Sequence, residues 1–348
     1  MVGGSTNHHD AILEALLGLS NAESVYLVAR GVFGSVSFPR DRAAVFVPDL
    51  HLMSAATARL YRFSFHHDQD GPILREPLMA ELCRALAEIR AARTLDVYQL
   101  GDMVDLWREA RIGRLPDATA TTEAILLDNP ATREWLATPM KLGVEMVIGN
   151  HERVGGGWSL TQVPQYRDVK VALALGGGDV VVTHGDVLDD VQDVLSDRVN
   201  KFLARTYGQR MRALSRDVRP ALRLRRPADV PARHGIRGGH ELLERATAWA
   251  QELRRGDPRA LRTTQLDAAP SVSVFVIGHT HRARLVVSDQ LILMDCGAWS
   301  DLCRLEDRRI VPACQLGVIA CNAQGAADLR IYQLTPYRRP KRRGRTVQ

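Results

Sequence analysis

The stretch S-V-S-V-F-V-I-G-H-T-H-R, residues 271–282, joins a run of apolar and β-branched residues to a glycine and then to two histidines one residue apart. The run has the length and composition of a buried strand. Gly278 lets the chain turn at its end, and His279 and His281 then stand at its lip. The same grammar recurs upstream. A-A-V-F-V-P (43–48), L-D-V-Y-Q-L (95–100), V-E-M-V-I (144–148) and D-V-V-V-T (179–183) are short apolar runs, each followed by a turn with polar residues.

Between the first two runs lies E-P-L-M-A-E-L-C-R-A-L-A-E-I-R-A-A-R (76–93). Leu78, Leu82, Leu86 and Ile89 recur at helical spacing, so this segment predicts a crossover helix. A shorter helical stretch is expected between Asp128 and Lys141. Strands alternating with helices predict an α/β layered domain. Past residue 285, four segments read as strands joined by short turns: R-A-R-L-V-V-S-D, Q-L-I-L-M-D, Q-L-G-V-I-A-C and D-L-R-I-Y-Q-L. They are expected to form a largely antiparallel second sheet. The intended layout is an N-terminal extension (1–39) packed on a core (40–186 and 269–335), an Arg-rich helical insertion (187–268) and a basic tail (336–348).

Composition bounds the class. With 348 residues, 45% hydrophobic and 25% charged, the chain has ample material for a core. No apolar run approaches the roughly 20 residues that span a bilayer, and the first ten residues lack a basic region followed by an apolar one. A cytoplasmic protein is expected, peripheral to the inner membrane at most. The five cysteines form no C-x-x-C pair and read as reduced. The net charge of +6 is concentrated in R-T-Y-G-Q-R-M-R-A-L-S-R-D-V-R-P-A-L-R-L-R-R (205–226) and Y-R-R-P-K-R-R-G-R (337–345). Such clusters suit anionic lipid or a phosphorylated substrate, and equally a solvated helix face. Aromatic–basic interleaving of a strand-binding platform is lacking, so no stable nucleic-acid partner is expected.

The strand ends carry the chemistry. P-D-L-H gives Asp49 and His51, whose i, i+2 spacing on an extended segment turns a carboxylate and an imidazole the same way. G-D-M-V-D-L-W gives Asp102 and Asp105, G-N-H-E gives Asn150 and His151, T-H-G-D gives His184, and G-H-T-H gives His279 and His281. Each alone has a bland reading: an Asx-turn, a helix cap, a hydrogen-bonded core histidine. Together they place five of the chain's 11 histidines at ends of apolar strands. In open α/β sheets ligands bind at the carboxyl ends of strands. Nitrogen and oxygen donors without thiolate suit Mn²⁺, Fe or Zn²⁺.

The ordered series Asp49–His51, Gly101–Asp105, Gly149–Glu152, His184 and Gly278–His281 resembles the motif set of the calcineurin-like metallophosphoesterases. The resemblance covers about residues 43–300. It implies a four-layer α-β-β-α sandwich and two divalent cations, Mn²⁺ foremost. Asp49, His51, Asp102 and His281 would hold one ion, and Asp102, Asn150, His184 and His279 the other. It also implies hydrolysis of a phosphoester or diphosphate, with His151 protonating the leaving oxygen and Asp105 orienting His151. Arg153, Trp107 and Arg282 are candidates for substrate contact. Trp158, Trp249 and Trp299 are candidates for an apolar groove or for the core. G-D-M-V-D-L-W, H-G-D, G-H-T-H-R and G-A-W (297–299) resemble the UDP-2,3-diacylglucosamine diphosphatase branch, which has Arg where His151 stands here. A nucleic-acid phosphodiesterase and a non-catalytic scaffold complete the alternatives; no implied ligand is missing, which speaks against the scaffold.

Overall fold

The computed structural model describes residues 8–37, 39–55, 57, 75–109, 118–137, 144–152, 169–175, 178–188, 239–258, 271–299, 301–303, 310–312 and 314–336. Arg153, Trp158, Cys303's side chain, the Arg-rich block 205–226 and the tail beyond Pro336 lie outside the described residues.

The first sheet is built on three parallel strands, β2 (Arg42–Val47), β3 (Thr94–Gln99) and β4 (Glu145–Met146). Every residue of Ala43–Val47 is buried. Ala43, Val45 and Val47 face one hydrophobic layer while Ala44 and Phe46 face another. A strand covered on both faces must be apolar at every position, which is why β2 reads as an unbroken run. Helix α1 (His8–Leu17) and helix α2 (Arg75–Ala92) cover the outer face. Ile12 and Leu16 of α1, and Leu78, Leu82 and Leu86 of α2, pack with Val45, Val97, Val318 and Leu334 in one core cluster. Pro77 falls in the first turn of α2, where the absent N–H costs nothing. A short helix α3 (Leu106–Glu109) and helices α4 (Ala118–Asp128) and α5 (Pro130–Ala137) follow β3. α5 occupies the place of the helix expected between Asp128 and Lys141.

The second sheet has the order β5 (Val169–Leu175), β6 (Gly178–Thr183), β7 (Val272–Ile277), β9 (Ile292–Asp295), β8 (Arg284–Val287). β6, β7 and β9 are parallel. Val180, Val182, Val274, Val276 and Met294 meet Phe46, Tyr98 and Ile331 between the two sheets. On the far face, Leu242, Leu243, Ala246, Ala250 and Leu253 of helix α6 (Gly239–Arg254) pack on Val181, Phe275 and Leu293, and Trp249 stacks on Phe275. The layers therefore run helix, sheet, sheet, helix: the chain is an α/β sandwich of four layers. The expected insertion contributes α6 to the outermost layer.

The expected antiparallel second sheet is corrected. Of the four segments past residue 285, β8 and β9 join β7. By contrast β12 (Gln315–Cys321) and β13 (Ala326–Pro336) form a hairpin on the other side of the sandwich, where β12 pairs antiparallel with β2. Alternating apolar residues specify a strand but carry no address for its sheet. The segment Ala22–Ser37, within the expected N-terminal extension, is strand β1, antiparallel to β13 at the sheet's edge. β10 (Asp301–Cys303) and β11 (Ile310–Pro312) form a separate two-stranded ribbon. No helix among the described residues is long and apolar enough to cross a membrane. Cys83, Cys296, Cys314 and Cys321 are free thiols.

Candidate metal centre

Parallel strands β2, β3 and β4 of one sheet and β6 and β7 of the other all end on the same rim of the sandwich. The loops leaving them are tied together by backbone bonds. His51 N–H donates to Asp102 O at 2.8 Å, Gly278 N–H to His184 O at 3.0 Å, and Trp299 N–H to Asp49 O at 2.8 Å. The rim thereby brings together Asp49, His51, Asp102, Asp105, Asn150, His151, His184, His279 and His281.

The glycines of the motifs have a steric reason. A methyl group on Gly149 would overlap Asp102 Oδ1 and the Asp102 nitrogen, and one on Gly278 would overlap Asp49 Oδ1. Gly101 has φ 89°, and a methyl there would stand 2.8 Å from Gly149 N and 2.9 Å from His184 Nδ1. Gly149 and Gly278 each let a loop close onto a carboxylate, and Gly101 lets one close onto the Gly149 backbone and the His184 ring. The loops are also strained. Five non-glycine residues among those described have positive φ, and four of them are His51 (46°), Asp102 (47°), His279 (60°) and His281 (56°). Such backbone costs about 1 kcal/mol or more per residue and persists where surrounding contacts over-determine it.

Two donor groups result. In one, Asp49 Oδ2 lies 3.1 Å from His281 Nε2 and 3.8 Å from His51 Nε2, and the two imidazole nitrogens are 3.0 Å apart. In the other, His184 Nε2 lies 2.9 Å from Asn150 Oδ1, 3.1 Å from His279 Nδ1 and 3.3 Å from Asp102 Oδ2. Asp102 Oδ2 is also 3.7 Å from His51 Nε2, so it joins the groups. His184 Nδ1 lies 2.9 Å from the Leu100 carbonyl. A proton on Nδ1 donated there leaves Nε2 directed at Asn150, His279 and Asp102.

Beside these groups, Asp105 Oδ1 lies 3.0 Å from His151 Nδ1, which fixes the ring and turns Nε2 away from Asp105. The His151 side chain is 14% exposed, and its Nε2 lies 3.9 Å from Asp102 Oδ2, which puts that nitrogen beside the donor cluster.

Asp49, His51, Asp102 and His184 are almost wholly buried, and among the described residues the cationic partners of the two carboxylates are imidazoles. Burial pushes the Asp102 carboxyl up, but His184 and His151 outweigh it and hold it well below the usual range. Asp49 is likewise lowered against its burial by His184 and His281. Burial lowers His184, yet Asp102 and Asp49 together raise it well above the ordinary imidazole value. Burial takes His51 down to about 4. Two buried carboxylates thus rely on shared imidazole protons for balance. Divalent cations among the same atoms fit this donor set, because they supply the charge without protons.

Arg282 is exposed next to His281, and its backbone N–H bonds Thr280 Oγ1 at 3.2 Å. Trp107 lies on α3, its side chain outside the described residues. Trp299 is a core residue, 1% exposed. Residues to which the sequence assigned no task complete the site. Glu152 is buried and accepts N–H groups from Met103 (2.8 Å), Val104 (3.3 Å) and Gly149 (2.9 Å), clasping two ligand loops. Asp295 is buried behind the His279–His281 loop. Its signal was present: Q-L-I-L-M-D is an apolar run ending in a carboxylate, like the others.

No protein-family model matches this chain. No curated protein matches it either. Among solved structures it is similar to a conserved uncharacterized protein from Streptococcus pneumoniae TIGR4 described as a predicted phosphoesterase, at 12% identity and TM-score 0.31 over 80% of this chain and 81% of that one. Vacuolar protein sorting 29 from Cryptosporidium parvum gives 12%, 0.32, 85% and 98%. The corresponding protein from Entamoeba histolytica gives 11%, 0.32, 83% and 97%. Similarity this slight carries no argument, and the site stands on its own geometry.

Proposed function

We propose that this chain is a dinuclear-metal phosphoesterase of the calcineurin-like kind. The observation that carries the reading is Asp102 Oδ2, shared between His51 Nε2 at 3.7 Å and His184 Nε2 at 3.3 Å, with a further set of donors behind each imidazole. Asp49, His51, Asp102 and His281 would hold one ion; Asp102, Asn150, His184 and His279 would hold the other. Divalent cations in these positions would supply charge neutralisation for a phosphoryl group and activation of water near neutral pH.

The chain's own residues supply the rest. Asp105 accepts the hydrogen bond from His151 Nδ1–H and stabilises the ring's charged form. His151 Nε2 then delivers its proton to the departing oxygen, which is general-acid assistance worth roughly 10²–10⁴-fold. His151 N–H donates to Asp102 Oδ1 at 2.8 Å, so the acid and the shared carboxylate are held in one frame. Arg282, exposed next to His281, would meet an anionic part of the substrate.

The test is a panel of monoesters, diesters and diphosphates assayed with Mn²⁺, including UDP-2,3-diacylglucosamine because of the motif resemblance, with metal content measured on the same preparation. Two equivalents of metal and hydrolysis of one bond class are expected. A preparation holding two equivalents that cleaves none of the three classes overturns the enzymatic reading. Elemental analysis of protein purified without added metal decides among Mn, Fe and Zn.

A further inference from the structure

His279 and His281 belong to different donor groups although one residue separates them, and both sit in left-handed backbone. Something must hold Thr280, the residue between them, against relaxation. Its hydroxyl donates to Asp295 Oδ2 and accepts the Arg282 N–H at 3.2 Å, so both capacities of the oxygen are in use. Asp295 is itself fixed. Fully buried at the end of β9, it accepts Arg284 Nε at 3.1 Å on Oδ2 and Gly297 N–H at 3.3 Å on Oδ1. Its strand is in register with both neighbours at this point, opposite Ile277 of β7 and Arg284 of β8. The anchor thus stands on three hydrogen-bonded strands, and the Thr280 hydroxyl links it to the turn between the two imidazoles.

We infer that Asp295, acting through the Thr280 hydroxyl, is a positioning residue that holds His279 and His281 in their two metal subsites. The proposal rests on the dinuclear reading above and deepens it. Neither residue is among the proposed metal ligands. Asp295 sets the pitch of the loop, and the loop sets where each imidazole nitrogen lies. Metal-ligand partners of this outer kind are worth roughly 10–100-fold in metal affinity.

Thr280→Val keeps the shape of the side chain and removes the hydroxyl, whereas Thr280→Ser keeps the hydroxyl and removes a methyl. Mn²⁺ binding is measured by titration calorimetry and elemental analysis on wild type and both variants, and melting is measured on the metal-free proteins. Thr280→Val should bind Mn²⁺ roughly 10–100-fold more weakly, Thr280→Ser should stay within about threefold of wild type, and metal-free melting should agree within about 2 °C. Wild-type affinity in Thr280→Val overturns the positioning role. So does a Thr280→Ser loss as large as that of Thr280→Val, or a metal-free melting temperature that falls in step with affinity. A wild-type chain that takes up no Mn²⁺ overturns the dinuclear reading itself, and this proposal with it.

Discussion

Replacing Gly149 by alanine asks whether the glycine ahead of Asn150 exists for close approach. The added carbon would overlap Asp102 Oδ1 and the Asp102 backbone nitrogen, and stand 2.8 Å from Asp102 Cγ. Unstrained carbon–carbon contacts lie at roughly 3.5–4.0 Å, so the two loops must part by about 1 Å. Rotating a side chain relieves the contact with Oδ1 but not the one with the backbone nitrogen. Overpacking of this kind costs about 1–3 kcal/mol, and the lower chain entropy of alanine offsets about 0.4–1 kcal/mol. Loop parting also stretches the Glu152 bonds to Gly149 and Met103, so the upper end applies and the net loss is about 2–2.6 kcal/mol. In a chain this long that lowers the melting temperature by roughly 3–4 °C. The larger effect is on the shared carboxylate, whose displacement should weaken Mn²⁺ binding by at least 10–100-fold, roughly the effect of losing an outer partner. Gly34→Ala is the control, since among the described residues nothing beyond its chain neighbours lies within 4 Å of its added carbon. Calorimetry with and without Mn²⁺ reads both quantities. A Gly149→Ala protein that melts and binds like Gly34→Ala would refute the steric argument.

Other expectations follow from the same geometry. His151→Ala should keep its metal content while turnover on poor leaving groups falls roughly 10²–10⁴-fold, with less effect on p-nitrophenyl esters; equal loss on both would remove His151 as the proton donor. Mn²⁺ at 100 times its dissociation constant should stabilise the fold by roughly 2.7 kcal/mol per site, reversed by a chelator, and an unchanged melting temperature would count against binding. His9 is buried with Nε2 2.9 Å from the Asp328 carbonyl, and burial together with Arg330 lowers it to about 4. Because the folded state resists protonation, stability falls as pH drops below the unfolded value near 6.5, and the loss is complete below about 4. Between pH 7 and pH 5 this amounts to about 2 kcal/mol that His9→Gln should not lose, and parallel urea curves for the two proteins would exclude it.

The sequence was most legible where local chemistry and burial coincide. Ala43–Val47 and Val272–Ile277 read as strands because both faces are covered, and the proposed ligands stand out because each follows such a run by one to four residues. Sheet membership was not legible. Leu285–Val287 and Val318–Ala320 look alike as text, yet one pairs with β9 and the other with β2. Parallel and antiparallel neighbours impose the same period on side chains, so only the packing of whole layers separates them. Glu152 and Asp295 were legible as residues but not as parts of the site. Their partners are backbone N–H groups, a guanidinium and a hydroxyl brought near by the fold, 48 or 49 positions away for Glu152 to Val104 and Met103 and 15 for Asp295 to Thr280.

Left-handed backbone at His51, Asp102, His279 and His281 was also invisible, and it bears on why the motifs have the composition they do. Glycine would adopt these angles without strain, but glycine carries no donor. A ligand position that needs φ > 0 must therefore accept the strain of an imidazole or a carboxylate, and adjacent glycines take the crowding instead. Gly101 precedes Asp102, and Gly278 precedes His279. Two tasks that one residue cannot perform, close approach and donation, are divided between neighbours. The pairing Gly-Asp, Gly-Asn, Gly-His is then a consequence of packing several donors within hydrogen-bond distance of one another. Exchanging the members of such a pair, as in the double substitution Gly278→His with His279→Gly, should abolish metal binding although composition, charge and length are unchanged. The imidazole would then replace the hydrogen whose absence of bulk lets Asp49 Oδ1 sit against the loop. A swapped protein that retained Mn²⁺ would show that the order of the pair is free and that sterics do not set the motif.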